Sequence, residues 1–356
     1  MSRAQQPAAA VASTQRKRGV APRTALLRTL PVRLLILVLL TAVAVVTAVR
    51  FSGWQGGLRY RDLPVVTVPL PASEKAAATG ASAPGERPEV PGGPPLEVDP
   101  ALIAPGPYGA LPSRAADGRT PFAVYQSRLP PPADGLPQLA ILILAPGPHP
   151  EALEPVLAAP PQIGLVFSVY GDGTAAWLRR ARSFGHETFL ELPVHPLDEG
   201  RGDAGALALA PQLPEEVRTD RLLRVLAKAS AVPALALRSG AFAAAPQAFR
   251  PVAAVLAARG LGLVELDGDS LRPVAVEAGI PYLAAIPLDA SETPEGIDRA
   301  FGALEAAALE RGGAAGYLRP LPLSLDRLRQ WLSSLPHKGL ALVAPSRLFE
   351  HASQMP

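Results

Sequence analysis

From residue 139 onward, short apolar runs rich in Leu, Val, Ile and Ala alternate with longer stretches whose apolar positions recur at helical spacing. The runs at residues 139–144, 163–169, 188–192, 234–237, 261–266, 282–287, 314–318 and 339–343 are predicted strands. Residues 174–184, 215–229, 247–259, 294–311 and 323–335 are predicted helices. Strands that are apolar at nearly every position are buried on both faces, and helices between them imply parallel pairing. Local signals agree: Thr293-Pro294-Glu295 sets an N-cap with proline in the first turn, and Gly260 directly follows Arg259 at a helix end. Seven or eight such units over about 210 residues predict an α/β fold closed into an irregular (β/α) barrel. No glycine-rich phosphate loop follows the first strand, so nothing supports nucleotide binding.

The first part of the chain follows another pattern. Residues 1–33 carry seven basic residues (Arg3, Arg16, Lys17, Arg18, Arg23, Arg28 and Arg33) and no acidic one. An uncharged apolar run then extends from Leu34 to Val49, between Arg33 and Arg50. With snorkelling arginines, the stretch from Pro31 to Phe51 reaches the roughly 20 residues a spanning helix needs. Residues 34–50 are therefore expected to be an uncleaved anchor, with 1–33 as a cytoplasmic tail and Phe51, Trp54 and Tyr60 marking the far interface. This topology puts the protein in the inner membrane as a single-pass chain with its C-terminal domain in the periplasm. The competing reading is a signal peptide cleaved after Ala42-Val43-Ala44. Residues 51–116 are rich in Pro, Ala and Gly and are expected to be a linker, with the same tether-like character reaching about residue 138. Within it, residues 120–128 stand out, because Phe122, Val124 and Tyr125 suit an arm packed on the body.

Composition narrows the chemistry. The chain has no cysteine among its 356 residues, which excludes a disulfide framework, a thiol nucleophile and cysteine-ligated zinc. Its 34 basic and 31 acidic residues give a net positive chain, yet without the tail 27 basic face 31 acidic. The body is mildly acidic, and no nucleic-acid partner is expected.

Several stretches then carry a family signature. Asp117-Gly118-Arg119-Thr120-Pro121-Phe122-Ala123-Val124-Tyr125, the strand Leu139 to Gly147, and Gly185-His186-Glu187 running to Val194-His195-Pro196 resemble the divergent polysaccharide deacetylase family. Arg259-Gly260-Leu261-Gly262-Leu263-Val264-Glu265, Gly279-Ile280-Pro281 with Ile286-Pro287-Leu288-Asp289, and the closing Leu323 to Leu328 and Gly339 to Ser346 extend the resemblance over residues 117–349. It implies a NodB-like barrel over residues 117–350. For active members it implies a metal-dependent amidase that removes acetyl groups from amino sugars.

That chemistry needs a divalent metal held by an acidic residue and two histidines. At each matching position this chain departs. The family's Ile-Asp-Asp-Leu-Gly is Ile143-Leu144-Ala145-Pro146-Gly147, its Asn-His-Met-Gly-Ser is Arg238-Ser239-Gly240-Ala241-Phe242, and its Gly-His-Pro is Leu318-Arg319-Pro320. Of five histidines (His149, His186, His195, His337, His351), none lies between His195 and His337. No metal or other cofactor is therefore expected.

Polar residues still follow the predicted strands: Glu191, His195, Asp198, Glu265, Asp267, Asp289 and Arg319. Strand C-termini are where barrels build sites. Glu191, His195, Glu265, Asp289 and Arg319 are the candidate substrate-binding residues, with Glu191, Glu265, Asp289 and Arg319 expected in one cleft. Arg319 suits a carboxylate or sugar hydroxyl. The expectation is a membrane-tethered, non-catalytic module that binds envelope glycan or an envelope protein. The alternatives are a hydrolase or deacetylase with a rebuilt site drawn from Glu191, His195, Glu265 or Asp289, and a scaffold with a vestigial pocket.

Overall fold

A computed structural model describes residues 90–350, apart from residues 134, 146–149 and 198–203. The expected anchor at residues 34–50, the basic tail, and the candidates His149, Asp198 and His351 lie outside the described residues. Among the described residues, no helix is long and apolar enough to cross a membrane.

Seven parallel strands close on themselves. They are β3 (Gln138–Leu144), β4 (Gly164–Phe167), β5 (Thr188–Glu191), β6 (Ala234–Arg238), β7 (Gly262–Leu266), β8 (Tyr282–Pro287) and β9 (Gly313–Leu318), and β9 returns to β3 in register from Gln138↔Gly313 to Ile143↔Leu318. A short strand, β10 (Ala341–Leu342), pairs with Gln138 and Leu139 of β3, below the point where β4 takes over the same edge at Leu142. The result is the α/β barrel that the periodicity predicts.

Each strand divides its side chains between two compartments. Ala140, Leu142, Val166, Phe189, Ala234, Ala236, Val264, Leu266, Ala285, Ala315 and Tyr317 fill the barrel interior. Leu139, Ile141, Ile143, Leu235, Leu237 and Leu263 face outward to the helices. Small residues recur inside because seven strands leave a narrow lumen, while large aliphatic residues fill the wider strand–helix layer. Phe122 and Phe349 plug the N-terminal end of the barrel, with ring centroids 5.0 Å apart and Phe349 stacked on Phe189 at 6.4 Å.

Six longer helices form the outer layer: α2 (Thr174–Ser183), α3 (Glu215–Leu226), α4 (Arg250–Arg259), α5 (Arg272–Ala278), α6 (Pro294–Arg311) and α7 (Pro322–Ser334). Helix α6 shows why these segments are helical. The Thr293 hydroxyl accepts from the Gly296 amide, Pro294 fits the first turn, Glu295 and Arg311 suit the macrodipole, and Gly312 ends the helix at φ 81°. Its Ile297, Phe301, Leu304 and Ala308 form one buried stripe, and Phe301 stacks on Trp331 of α7 at 4.5 Å. Helix α5 was not among the predicted elements, since its seven residues give the 3.6-residue period barely two turns to register.

The expected linker is shorter than its composition suggests. From residue 90 the chain is folded on the barrel, with strands β1 (Ile103–Gly106) and β2 (Gly109–Pro112) forming an antiparallel hairpin. Leu102, Leu111 and Tyr125 are buried. Polar ties hold the same stretch: the Tyr125 hydroxyl accepts from the Asp99 amide at 2.9 Å, Arg182 donates to the Leu96 carbonyl at 3.0 Å, and Arg259 donates to the Pro112 carbonyl at 2.8 Å. Helix α1 (Pro121–Val124), capped by Thr120, delivers Phe122 to the base of the barrel. Proline and glycine made the segment look like a tether, but its stability comes from docking a few apolar side chains on a preformed surface.

Candidate functional site

The C-terminal ends of the strands form the open mouth of the barrel, and side-chain parity decides which polar residues reach it. Glu191 shares the face of Phe189 and points inward. Arg238 shares the face of Ala234 and Ala236, and its guanidinium lies 5.8 Å from the centre of the inward Tyr317 ring. Asp267, one residue beyond β7, pairs with Arg238 Nε at 3.2 Å and accepts a hydrogen bond from the Tyr317 hydroxyl. Ser168, just past β4 and buried, acts on the Glu191 carboxyl and favours its charged form. The mouth therefore contains Ser168, Glu191, Arg238, Asp267 and Tyr317.

Electrostatics follow from this placement. Burial raises the Glu191 carboxyl above the ordinary carboxylate range, opposed by the Arg238 charge and the Ser168 hydrogen bond. Burial and the Asp267 hydrogen bond raise the Tyr317 phenol, so it stays a donor at physiological pH. Asp267 sits at φ 68°, the one non-glycine residue at positive φ among the described residues. Aspartate tolerates this left-handed region better than most residues, and the bonds to Arg238 and Tyr317 hold it there. The Arg238 side chain is 53% exposed, so its guanidinium is accessible to a ligand.

The five predicted site residues separate. Glu191 lies in the mouth. His195 lies in the loop beyond β5, where its amide donates to Leu209 and its carbonyl accepts from Ala241, each at 2.9 Å. Glycine at 240, at φ 48°, permits this approach, because a Cβ there would lie 2.4 Å from the His195 carbonyl oxygen. Asp289 and Arg319 come together as a pair: Asp289 accepts from the Arg319 amide at 3.0 Å and Nε at 3.1 Å, and Arg319 also reaches Glu292 at 3.3 Å. This pair ties the β8–α6 and β9–α7 loops together.

Glu265 corrects the expectation of a four-residue cleft. It lies between the inward Val264 and Leu266, so it faces the helix layer and is 0% exposed. Its carboxylate accepts from the Ser270 amide (3.0 Å) and hydroxyl (2.7 Å), the Leu271 amide (2.8 Å) and the Tyr282 hydroxyl (2.7 Å). These donors include amides at the start of α5, which identifies Glu265 as a helix-capping group. The sequence patterns did not single out Tyr317 or Ser168, and they marked Arg238 only as a replacement in a family motif. The alternation Ala234-Leu235-Ala236-Leu237-Arg238 carried the signal, since the small residues mark the lumen-facing positions.

Residues 141–349 match the profile of the divergent polysaccharide deacetylases. The chain belongs to that family. Among solved structures, an uncharacterized protein from Agrobacterium tumefaciens shares 26% identity with this chain, at a TM-score of 0.62 over 67% of this chain and 99% of that one. The catalytic domain of a peptidoglycan N-acetylglucosamine deacetylase from Eubacterium rectale aligns at 10% identity and a TM-score of 0.39, over 62% and 94% of the two chains. No curated protein sequence matches this one.

The divalent metal implied by the family does not fit the donor set present here. Strand β3 ends in Leu144, followed by Ala145, Arg238 brings a guanidinium against Asp267 in the mouth, and Arg319 offers only donors. Among the described residues, no group of three or more His, Asp or Glu side chains could hold a metal ion.

Proposed function

We propose that this family member is a degenerate deacetylase that binds envelope glycan at the barrel mouth without reacting with it, on a chain tethered to the inner membrane by residues 34–50. The observation that carries the reading is the Arg238 guanidinium paired with Asp267, beside Glu191 and over Tyr317. Carboxylates, a guanidinium and an aromatic face together suit sugar hydroxyls, through charge-assisted hydrogen bonds and contact with the ring face. The family supplies the carbohydrate connection. The basic tail followed by an uncharged span supplies the topology.

Titration of the full chain with soluble peptidoglycan fragments and chito-oligosaccharides, followed by calorimetry, tests the binding. Arg238→Ala and Asp267→Asn are each expected to weaken affinity by about 10- to 100-fold, the cost of losing hydrogen bonds to a charged group. Absence of binding, or affinity indifferent to both changes, returns the molecule to the scaffold reading. For the anchor, resistance to carbonate extraction is expected, and a mature N-terminus beginning near Val45 overturns it.

One observation favours a second reading. A carboxylic acid whose pKa is raised by partial burial is the type of group that serves as a general acid, and Glu191 fits that description. Release of acetate or of shorter oligosaccharides by the wild type, abolished by Glu191→Gln, would replace the binding reading with a rebuilt hydrolase.

A further inference from the structure

We propose that the outer face of α6 is an interface between two copies of this chain, in which Leu309 of each seats in the groove beside Gly302 of the other. An open groove of about 250 Å³ between α6 and α7 is lined by Phe301, Gly302 and Trp331 and flanked by the ion pairs Asp298–Arg327 and Glu305–Lys338. Gly302 keeps it open. It lies inside an 18-residue helix without a left-handed torsion, and a Cβ there would have nothing within 4 Å. Neither backbone nor packing requires glycine at this position, where alanine is the better helix former. Leu309 supplies the matching knob. Residues 298, 302, 305 and 309 recur at i, i+4, i+7 and i+11 on one face of α6, and the Leu309 side chain at the end of that row is 62% exposed. Gly302 lies roughly 10 Å back along the helix axis, too far for Leu309 of the same chain to fill the groove.

Antiparallel pairing of two α6 helices about a two-fold axis near Glu305 and Ala306 sets each Leu309 opposite the other copy's Gly302. Charge complementarity supports this register. Arg299 and Glu310, both exposed on the flank of α6 away from α7, form no ion pair among the described residues. The two-fold axis brings these flanks together, with Arg299 within about 3 Å, along the helix axis, of the level of Glu310 of the second copy. Symmetry makes the pair twice. Glu305 meets its own copy near the axis, but Lys338 already neutralises it and Trp331 Nε1 donates to it at 2.6 Å. One pair of helices, each about 27 Å long, covers less than the roughly 1,200 Å² of a standard interface, so the dimer belongs to the weak, transient class.

The test uses the full chain and residues outside the barrel mouth, so its failure leaves the glycan reading untouched. The chain has no cysteine, so introduced cysteines report the contact without background. Ala306→Cys is expected to give disulfide-linked dimers under mild oxidation at about 200 μM protein, where a weak dimer is populated. A mixture of Arg299→Cys and Glu310→Cys chains should link far more than either chain alone. Adding Leu309→Glu to Ala306→Cys should cut the yield at least tenfold and move Tm by no more than about 2 °C, since position 309 is exposed. Filling the groove with Gly302→Leu should do the same. Arg299→Glu should lower the yield, and Glu310→Arg in the same chain should restore it by reversing the pair. No linkage through position 306, linkage that Leu309→Glu leaves unchanged, or equal linkage through Glu216→Cys on α3 overturns the inference. So does protection of position 306 from thiol labelling by added oligosaccharide with no dimer present, which would make the groove a ligand site instead.

Discussion

Glu187, the residue before β5, and Glu191, the last residue of β5, lie four residues apart at opposite ends of the barrel, and their surroundings differ completely. At the closed end, Glu187 is fully buried and accepts from the Ser127 amide at 2.6 Å and the Ser346 amide at 2.9 Å. It joins the N-terminal arm, the first half of the barrel and the C-terminal segment. Beside it, His186 is also fully buried, with its ring nitrogens 2.9 and 3.3 Å from the carbonyls of Ile163 and Leu157, and burial lowers its pKa so that it stays neutral. Gly185, at φ 90°, lets the chain pass Val90 and Pro161. At the open end, Glu191 meets a hydroxyl and a half-exposed guanidinium. The Gly185-His186-Glu187 motif that helps identify the family is therefore structural in this chain. Backbone partners fix the closed end, while side-chain partners leave the open end adaptable.

The largest expected effect is at the closed end. Glu187→Ala leaves the Ser127 and Ser346 amides buried without an acceptor, at a cost of about 2–4 kcal/mol. Chemical denaturation should show this as a lower midpoint. A loss below about 1 kcal/mol would place Glu187 with Glu191 as an adaptable group and remove the contrast.

Next comes Glu265→Ala, expected to cost about 2–3 kcal/mol because four donors lose one buried acceptor and α5 loses its cap. Glycan affinity of the folded fraction should be unchanged. A change in affinity as large as that from Arg238→Ala would return Glu265 to the mouth.

Asp267→Gly separates strain from charge. Glycine relieves the φ of 68° but removes the pairs with Arg238 and Tyr317, so the net change in stability is expected to be within about 1 kcal/mol. Affinity for glycan fragments should nonetheless fall about tenfold or more. Equal losses in stability and affinity would mean that Asp267 serves only the fold.

The unequal legibility of the two ends in the sequence has a physical cause. Strands β3 to β9 were readable because burial on both faces demands continuous apolar runs, and α6 because its cap, stripe and terminal glycine agree. The hairpin of β1 and β2 was hidden, since its own residues supply little of the energy that folds it. In the mouth, Glu191 was visible as a charge ending a strand. Glu265 was assigned to the mouth by the same criterion and belongs to the opposite face, because a doubly buried strand gives no polar alternation to set its parity. Alternation of size set it instead: Gly262, Val264 and Leu266 are inside, which sends Glu265 outward. Neither Ser168 nor Tyr317 bears a charge at neutral pH, so neither stood out before the strands were assembled.

The smallest expected effect concerns pH and isolates Glu191 from Glu187. Burial raises the Glu191 pKa above its unfolded value of about 4.3, so the folded state favours the protonated form. A raised carboxyl adds stability that is fully present below the unfolded pKa and is lost as pH rises through the folded pKa. Glutamine resembles the protonated acid and cannot ionise. The stability of wild type relative to Glu191→Gln should therefore decline as pH rises above about 4, by a small amount because Arg238 partly stabilises the charge. The contribution of Glu187 has the same sign but is common to both proteins and cancels in the difference. In an Arg238→Gln background the decline should steepen, since burial then acts unopposed by a neighbouring cation. If the two proteins instead keep a constant stability difference across this range in both backgrounds, Glu191 does not titrate in the mouth, and the electrostatic distinction between the two ends of the strand fails.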